Sequence, residues 1–310
     1  MNVNVLELNE KVRRDPMAFA EECEADYYER IKRAAGAIIE NMHRSPIVLL
    51  SGPSGAGKTT TAMKIEFYLD RLGIQTHTVS MDNYYKTMNQ KTAPRTPEGD
   101  IDFESPELID MELLNEHFDM LANHKEIKIP YFMFSRQKRS ASKWKPMRLN
   151  DNEVAIFEGI HALNDVFTDR NPDAFGLYIS PETHYTLGEG EIAPSLTRLV
   201  RRVVRDNNFR GCDAKMTLSM WKNVMRGEKS FIDPYICKAK LRLDSSIGYE
   251  LAVMRDHALP LFDELSHDIA GYDEIENMLP VLRAIAPMES DCCPIGSLLR
   301  EFIGGGIYEY

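Results

Sequence analysis

The residues best placed to do chemistry are Gly52-Pro-Ser-Gly-Ala-Gly-Lys-Thr59, directly after the apolar run Ile47-Val-Leu-Leu50. Gly52, Gly57, Lys58 and Thr59 satisfy G-x-x-x-x-G-K-[ST], the phosphate-binding loop. Glycines let the backbone curl until successive N–H groups point inward at a polyphosphate. The helix predicted next, about Gly57 to Leu72, brings its positive N-terminal end to the same point. Lys58 would reach the β- and γ-phosphates and the Thr59 hydroxyl would hold Mg²⁺. The cradle expected is therefore Gly52, Ser54, Gly55, Ala56, Gly57, Lys58, Thr59 and Thr60. This pattern binds a nucleoside triphosphate.

Such a loop does not name a reaction; an acceptor site with a base would. Asp82 lies just beyond the alternating strand Ile74–Ser80, where an open α/β sheet places its ligands. A carboxylate there can take the proton of a hydroxyl attacking the γ-phosphate. The competing role is a turn or helix-capping Asp. Glu158 ends the apolar strand Val154–Phe157, the place for a second acidic residue that orders Mg²⁺ or orients the acceptor. Arg198, Arg201, Arg202 and Arg205 recur at helical offsets and share one face, with Arg210 following. Arginine forks suit phosphate, so a lid over the transferring phosphoryl is the reading they favour.

The elements that must position these groups follow from periodicity. Residues 1–15 are polar and patternless. Phe19, Tyr27, Ile31, Ala34 and Ile38 recur at helical spacing between Pro16 and Met42. Residues 86–106, with three prolines, read as a loop over the site. Pro106–Leu121 reads as helix, Ile127–Phe134 as extended, and Arg136–Arg148 as a basic hairpin or loop. Gly176–Ile179 and Leu241–Asp244 read as strands. Residues 181–194 are loop-like, and Ser195–Arg210, Ala214–Arg226 and Ile275–Ala286 read as helices. Strands alternating with helices predict one parallel sheet wrapped on both faces. The expected division is an N-terminal helical extension (1–45), a domain at 46–286 with a lid at about 195–230, and a tail at 287–310.

The 310 residues carry a net charge of −11, which argues against a dedicated nucleic-acid binder despite the basic stretch with Trp144. The five cysteines show no C-x-x-C pairing, and no leader or long apolar span is evident, so a cytoplasmic location is expected. No Asn-Lys-x-Asp element favours guanine.

With these motifs assembled, the chain resembles the uridine kinase and phosphoribulokinase group of P-loop kinases. It is most similar to bacterial uridine-kinase-like proteins that often carry a TGS domain, for which the residues before the core strand are too few. The resemblance is carried by Gly52–Thr60, Ser80-Met-Asp-Asn-Tyr-Tyr85 and Ile101-Asp-Phe-Glu-Ser-Pro-Glu107. Further carriers are Phe157-Glu-Gly-Ile-His-Ala-Leu-Asn164, Arg198–Gly211, Met220–Glu228, Tyr249–Val253 and Ser297–Gly305. It implies a nucleoside-kinase-like α/β P-loop fold with a helical lid, and phosphorylation of a nucleoside 5′-hydroxyl by ATP with Mg²⁺. By position it makes Asp82 the catalytic carboxylate, assisted by Lys58 and Arg205, and Tyr85 a nearby aromatic. Glu104 would bind ribose hydroxyls, Thr59 and Glu158 the metal, and Arg202 and Arg210 the substrate. Phe132-Met-Phe134 stands where uridine kinases have Tyr-Asp-Phe, and Gln137 replaces their base-reading histidine. Phe, Met and Cys212 offer few donors to a pyrimidine's carbonyls. The partner expected is thus a small nucleoside-like molecule, with no membrane or nucleic acid; a homo-oligomer is compatible. A kinase of another alcohol, such as a sugar phosphate, or an ATP-binding regulator without turnover, are the competing readings.

Overall fold

A strand apolar along its whole length must be covered on both faces. The computed structural model, which describes residues 2–308, places Ile47–Ser51 in the middle of a sheet with all five residues buried. In chain order, β1 (Asn2–Asn4), α1 (Val5–Arg14) and α2 (Pro16–Asn41) precede β2 (Ile47–Ser51), α3 (Lys58–Arg71) and β3 (Gln75–Ser80). Next come α4 (Met111–Ala122), β4 (Ile127–Met133), β5 (Lys138–Met147), β6 (Glu153–Glu158), α5 (Asp165–Thr168) and β7 (Phe175–Ser180). Then β8 (His184–Leu187) and β9 (Gly190–Ile192) lead into α6 (Pro194–Phe209) and α7 (Ala214–Phe231). The chain closes through β10 (Leu241–Asp244), α8 (Glu250–Asp263), α9 (Tyr272–Glu276), α10 (Met278–Ala284) and α11 (Arg300–Ile303).

The main sheet is parallel, in the order β10-β7-β2-β6-β3. Alternation along its strands serves two cores. Val48, Leu50, Ile156 and Leu177 pack with Ile31, Ile65, Val200 and Met254 from α2, α3, α6 and α8. Leu49 and Phe157 pack with Leu114 and Phe118 of α4 and with Phe167. The sheet is therefore α/β with helices on both faces, as the alternating pattern predicts. The carboxyl ends of β2, β3 and β6 then deliver the phosphate loop, Asp82 and Glu158 to one edge.

Several local expectations need correction. The patternless opening contains β1 and α1, because Val5, Leu8 and Val12 form a buried stripe and Asn4 caps the helix by accepting from the Leu6 N–H. The loop-like stretch 181–194 holds the β8–β9 hairpin, which pairs in parallel with β1. Pro106–Leu121 is split: a 3-10 turn at Pro106–Leu108 precedes α4, whose N-cap is Asp110. The late helix at Ile275–Ala286 is two short pieces, α9 and α10. No helix among the described residues is long and apolar enough to cross a membrane.

Candidate active site

Between β2 and α3 the loop turns on Gly55 and Gly57, whose φ angles of 79° and 83° lie in the left-handed region that glycine enters without a Cβ clash. A side chain at Gly57 would also strike Leu298, 2.6 Å away. Lys58 donates to the Pro53 carbonyl at 3.1 Å, so its ammonium lies across the loop. Burial lowers its pKa, while Glu158, Asp82 and Glu301 act in the opposite sense.

The loop opens onto a cavity of about 700 Å³. Ser54, Gly55, Gly57, Lys58, Thr59, Asp82, Glu158, Arg205 and Arg210 all line it, so the structure brings together predicted residues from four separate segments. Asp82 sits in the 3-10 turn Met81–Tyr84, its N–H facing the Ser80 hydroxyl at 3.4 Å. Burial raises its pKa, and Lys58, Arg210 and Arg205 work against that rise. Glu158 is pushed up to about 7 by burial and then by Asp82, opposed by Lys58. The Thr59 hydroxyl faces Glu158 Oε1 at 3.5 Å.

The arginine helix divides its labour. Arg198 and Arg201 are 2% and 0% exposed, and they brace the loop rather than face the cavity. Arg198 bonds the Ser54 carbonyl and Glu228, at 3.1 and 2.7 Å. Arg201 binds the Gly55 carbonyl at 3.2 Å and Glu250 at 2.6 Å. A solvent-facing lid would leave these two groups wet; here Glu228 of α7 and Glu250 of α8 pack against them and pair with them. Arg202 donates to Ser54 Oγ at 2.8 Å. Arg202, Arg205 and Arg210 all converge on buried Asp206, at 3.3, 2.8 and 3.6 Å. That carboxylate offsets the repulsion of three gathered cations, and its i,i+4 spacing from Arg202 was a readable signal.

Tyr85, Glu104, Phe132 and Arg202 are not among the residues lining this cavity; Tyr85 and Glu104 reach it only through their electrostatic coupling to Asp82. The Tyr85 ring lies 5.5 Å from Phe132, and burial followed by Asp82 and Glu104 raises its hydroxyl pKa. Glu104 is pushed up to about 7 by burial, with Arg202 and Lys58 opposing. It is seated by Asp102, which accepts its N–H at 3.2 Å and pairs with Arg226 at 2.6 Å. Gln137 is not brought to the cavity: it is exposed at the corner between β4 and β5, with φ 48°. Sequence reasoning did not single out His161 as a site residue. It is 1% exposed, and burial lowers its pKa to about 4, with the Phe231 and Glu104 backbones acting against that fall. The neutral ring is held close to the Glu104 and Phe231 backbones.

The tail from Pro287 also belongs to this region. Arg300, Glu301, Gly304, Gly305, Gly306 and Tyr308 line the cavity, and Thr60 Oγ1 donates to Glu301 Oε2 at 2.5 Å. Leu298 and Phe302, at helical spacing around Arg300, are fully buried.

A phosphate loop at the carboxyl edge of a parallel sheet, facing two carboxylates and an arginine helix, defines a P-loop phosphotransferase fold and site. Residues 47–247 match the phosphoribulokinase/uridine kinase family, and the chain belongs to it. A uridine kinase from Schizosaccharomyces pombe is 28% identical over 211 residues, 64% of this chain and 42% of that protein. The chain thus spans less than half the length of that relative. A uridine kinase from Ureaplasma urealyticum is 29% identical over 187 residues, covering 59% of this chain and 79% of that one. A structure described as a possible uridine kinase, from Bacillus stearothermophilus, aligns with 17% identity and a TM-score of 0.44 over 70% of this chain and 98% of that one. Membership of this family makes the chain a P-loop kinase and implies ATP binding and a small-molecule substrate.

Proposed function

We propose that the protein transfers the γ-phosphate of ATP to the 5′-hydroxyl of a nucleoside-like ribosyl alcohol. One observation carries this reading: Asp82 lines the same cavity as Lys58, Arg205 and Arg210, and those three cations hold down the pKa that burial raises. A carboxylate so placed is a stronger base than one in water. Asp82 takes the hydroxyl proton as the alcohol oxygen bonds to the γ-phosphorus and the bond to the ADP oxygen breaks. Lys58, Arg205 and Arg210 stabilise the negative charge on the transferring group.

Thr59 and Glu158 offer hard oxygen donors, and no cluster of three His, Cys, Asp or Glu among the described residues is placed to hold a metal alone. Two protein oxygens plus the donor's phosphates suit Mg²⁺. When bound there, the ion would neutralise charge across the β- and γ-oxygens. Glu104 and Tyr85, each coupled electrostatically to Asp82, mark the acceptor side of the reaction centre.

The test is ADP release from Mg²⁺–ATP, measured with uridine, cytidine, thymidine, adenosine and ribose phosphates in turn. Stimulation by a nucleoside is expected. Stimulation by ribose phosphates alone would move the assignment to a sugar-phosphate kinase. Tight ATP binding without any acceptor-stimulated turnover would replace the enzyme with a regulator.

A further inference from the structure

The reaction side of the cavity is accounted for by Asp82 and Glu158; the tail side is not. Thr59 faces Glu158, whereas Thr60 bonds Glu301. Consecutive helical residues point about 100° apart, so the catalytic carboxylates and the tail flank the phosphate loop on different sides. A triphosphate whose γ end meets Asp82 must direct its nucleoside away from that side.

The tail there is built, not draped. Arg300 donates to the Ser290 and Cys293 carbonyls at 2.9 and 2.5 Å, and the Arg201 guanidinium lies over the Phe302 ring at 5.4 Å. Asn208 holds the Phe302 carbonyl at 3.2 Å, tying the end of α6 to the tail. Beside that tie, Phe209 lines the cavity with 57% of its surface exposed. Gly304, Gly305 and Gly306 line the same cavity, leaving backbone without side chains. At Gly304, with φ 84°, a Cβ would come within 3.0 Å of the Phe209 ring. An exposed aromatic beside a bare backbone strip, inside the cavity, fits a flat aromatic ligand.

We propose that Phe209 and the strip Glu301–Tyr308 form the subsite for the nucleoside end of the donor, with the base stacked on Phe209. The proposal rests on the kinase reading above and extends it to the tail. Every base has a π-face, so stacking selects a nucleotide over bare polyphosphate without selecting one base sharply.

Calorimetric titration of the full chain with Mg²⁺–ATP and with Mg²⁺–inorganic triphosphate tests this, using wild type, Phe209→Ala and Phe209→Tyr. Phe209 is exposed, so its removal leaves both cores intact. Phe209→Ala is expected to weaken ATP binding by about 5- to 100-fold, leave triphosphate binding unchanged, and be rescued by Tyr. Equal affinity of wild type for ATP and triphosphate overturns the subsite while sparing the kinase reading. So does an unchanged ATP affinity in Phe209→Ala, or an equal loss of both ligands. Wild type that binds neither ligand overturns the kinase reading itself, and the subsite with it.

Discussion

Glu158→Gln separates what the site costs the fold from what it does. The Glu158 carboxyl is 5% exposed, and burial with Asp82 beside it raises its pKa from 4.5 to about 7. Between those two values the folded protein keeps a proton that the unfolded chain has released. Folding stability therefore falls as pH rises through this window, and the loss is complete above the folded pKa. A rise of that size corresponds to about 3 kcal/mol, most of which accrues between pH 5 and pH 8.5. Glutamine has the same shape and does not titrate. Urea denaturation without nucleotide or Mg²⁺ at those two pH values should show wild type losing about 2–3 kcal/mol more than Glu158→Gln. At pH 8.5 the variant should be the more stable protein and the weaker kinase, since it lacks an anionic oxygen for Mg²⁺. Parallel pH profiles for the two proteins would refute the reasoning, because Glu158 would then ionise as easily in the fold as outside it.

Asp82→Asn keeps the side chain's shape and removes its capacity to accept a proton. Its kcat should fall about 100- to 10,000-fold with ATP affinity nearly unchanged, read by turnover paired with calorimetry. Normal turnover would take the base role away from Asp82. Glu250→Gln leaves the fully buried Arg201 without its ionic partner. Denaturation at neutral pH should register a loss of about 3–5 kcal/mol. ATP affinity should drop in the same variant, because Arg201 also carries the Gly55 carbonyl. A stable variant with intact ATP binding would show that the loop holds its shape without this brace.

The parts of the site legible in the sequence are those whose chemistry is local. The phosphate loop announces itself because amides, lysine and hydroxyl must be contiguous to surround one polyphosphate. Asp82 and Glu158 were readable because one lies just past the end of β3 and the other closes β6, and parallel strands end on one edge. Strand interiors were equally plain, since a strand buried on both faces must be apolar throughout. What stayed hidden depends on distant partners. Nothing near Arg198 or Arg201 in the chain distinguishes a phosphate-facing arginine from one that braces a loop; Glu228 and Glu250 decide it, 30 and 49 residues away. Gln137 could be placed by its neighbours in sequence but not by the corner that turns it to solvent. His161 looks like any histidine after a strand until the fold buries it against the Glu104 and Phe231 backbones.

The phosphate loop is the point where three segments with no local relation are held together. The Gly52 backbone lies against the Ile179 carbonyl, where an added Cβ would sit 2.2 Å away. Gly55 is gripped from α6 by Arg201, and Gly57 is covered by Leu298 of the tail. Each grip exists only in the folded chain, and so does the cradle a triphosphate needs. A ligand that binds only this arrangement stabilises all three contacts together, by RT ln(1 + [L]/Kd). By the same linkage, anything that loosens the tail or α6 weakens the nucleotide by the free energy it removes from the loop. The tail and the arginine helix therefore act on phosphate affinity through the backbone they hold, whether or not their side chains touch the nucleotide.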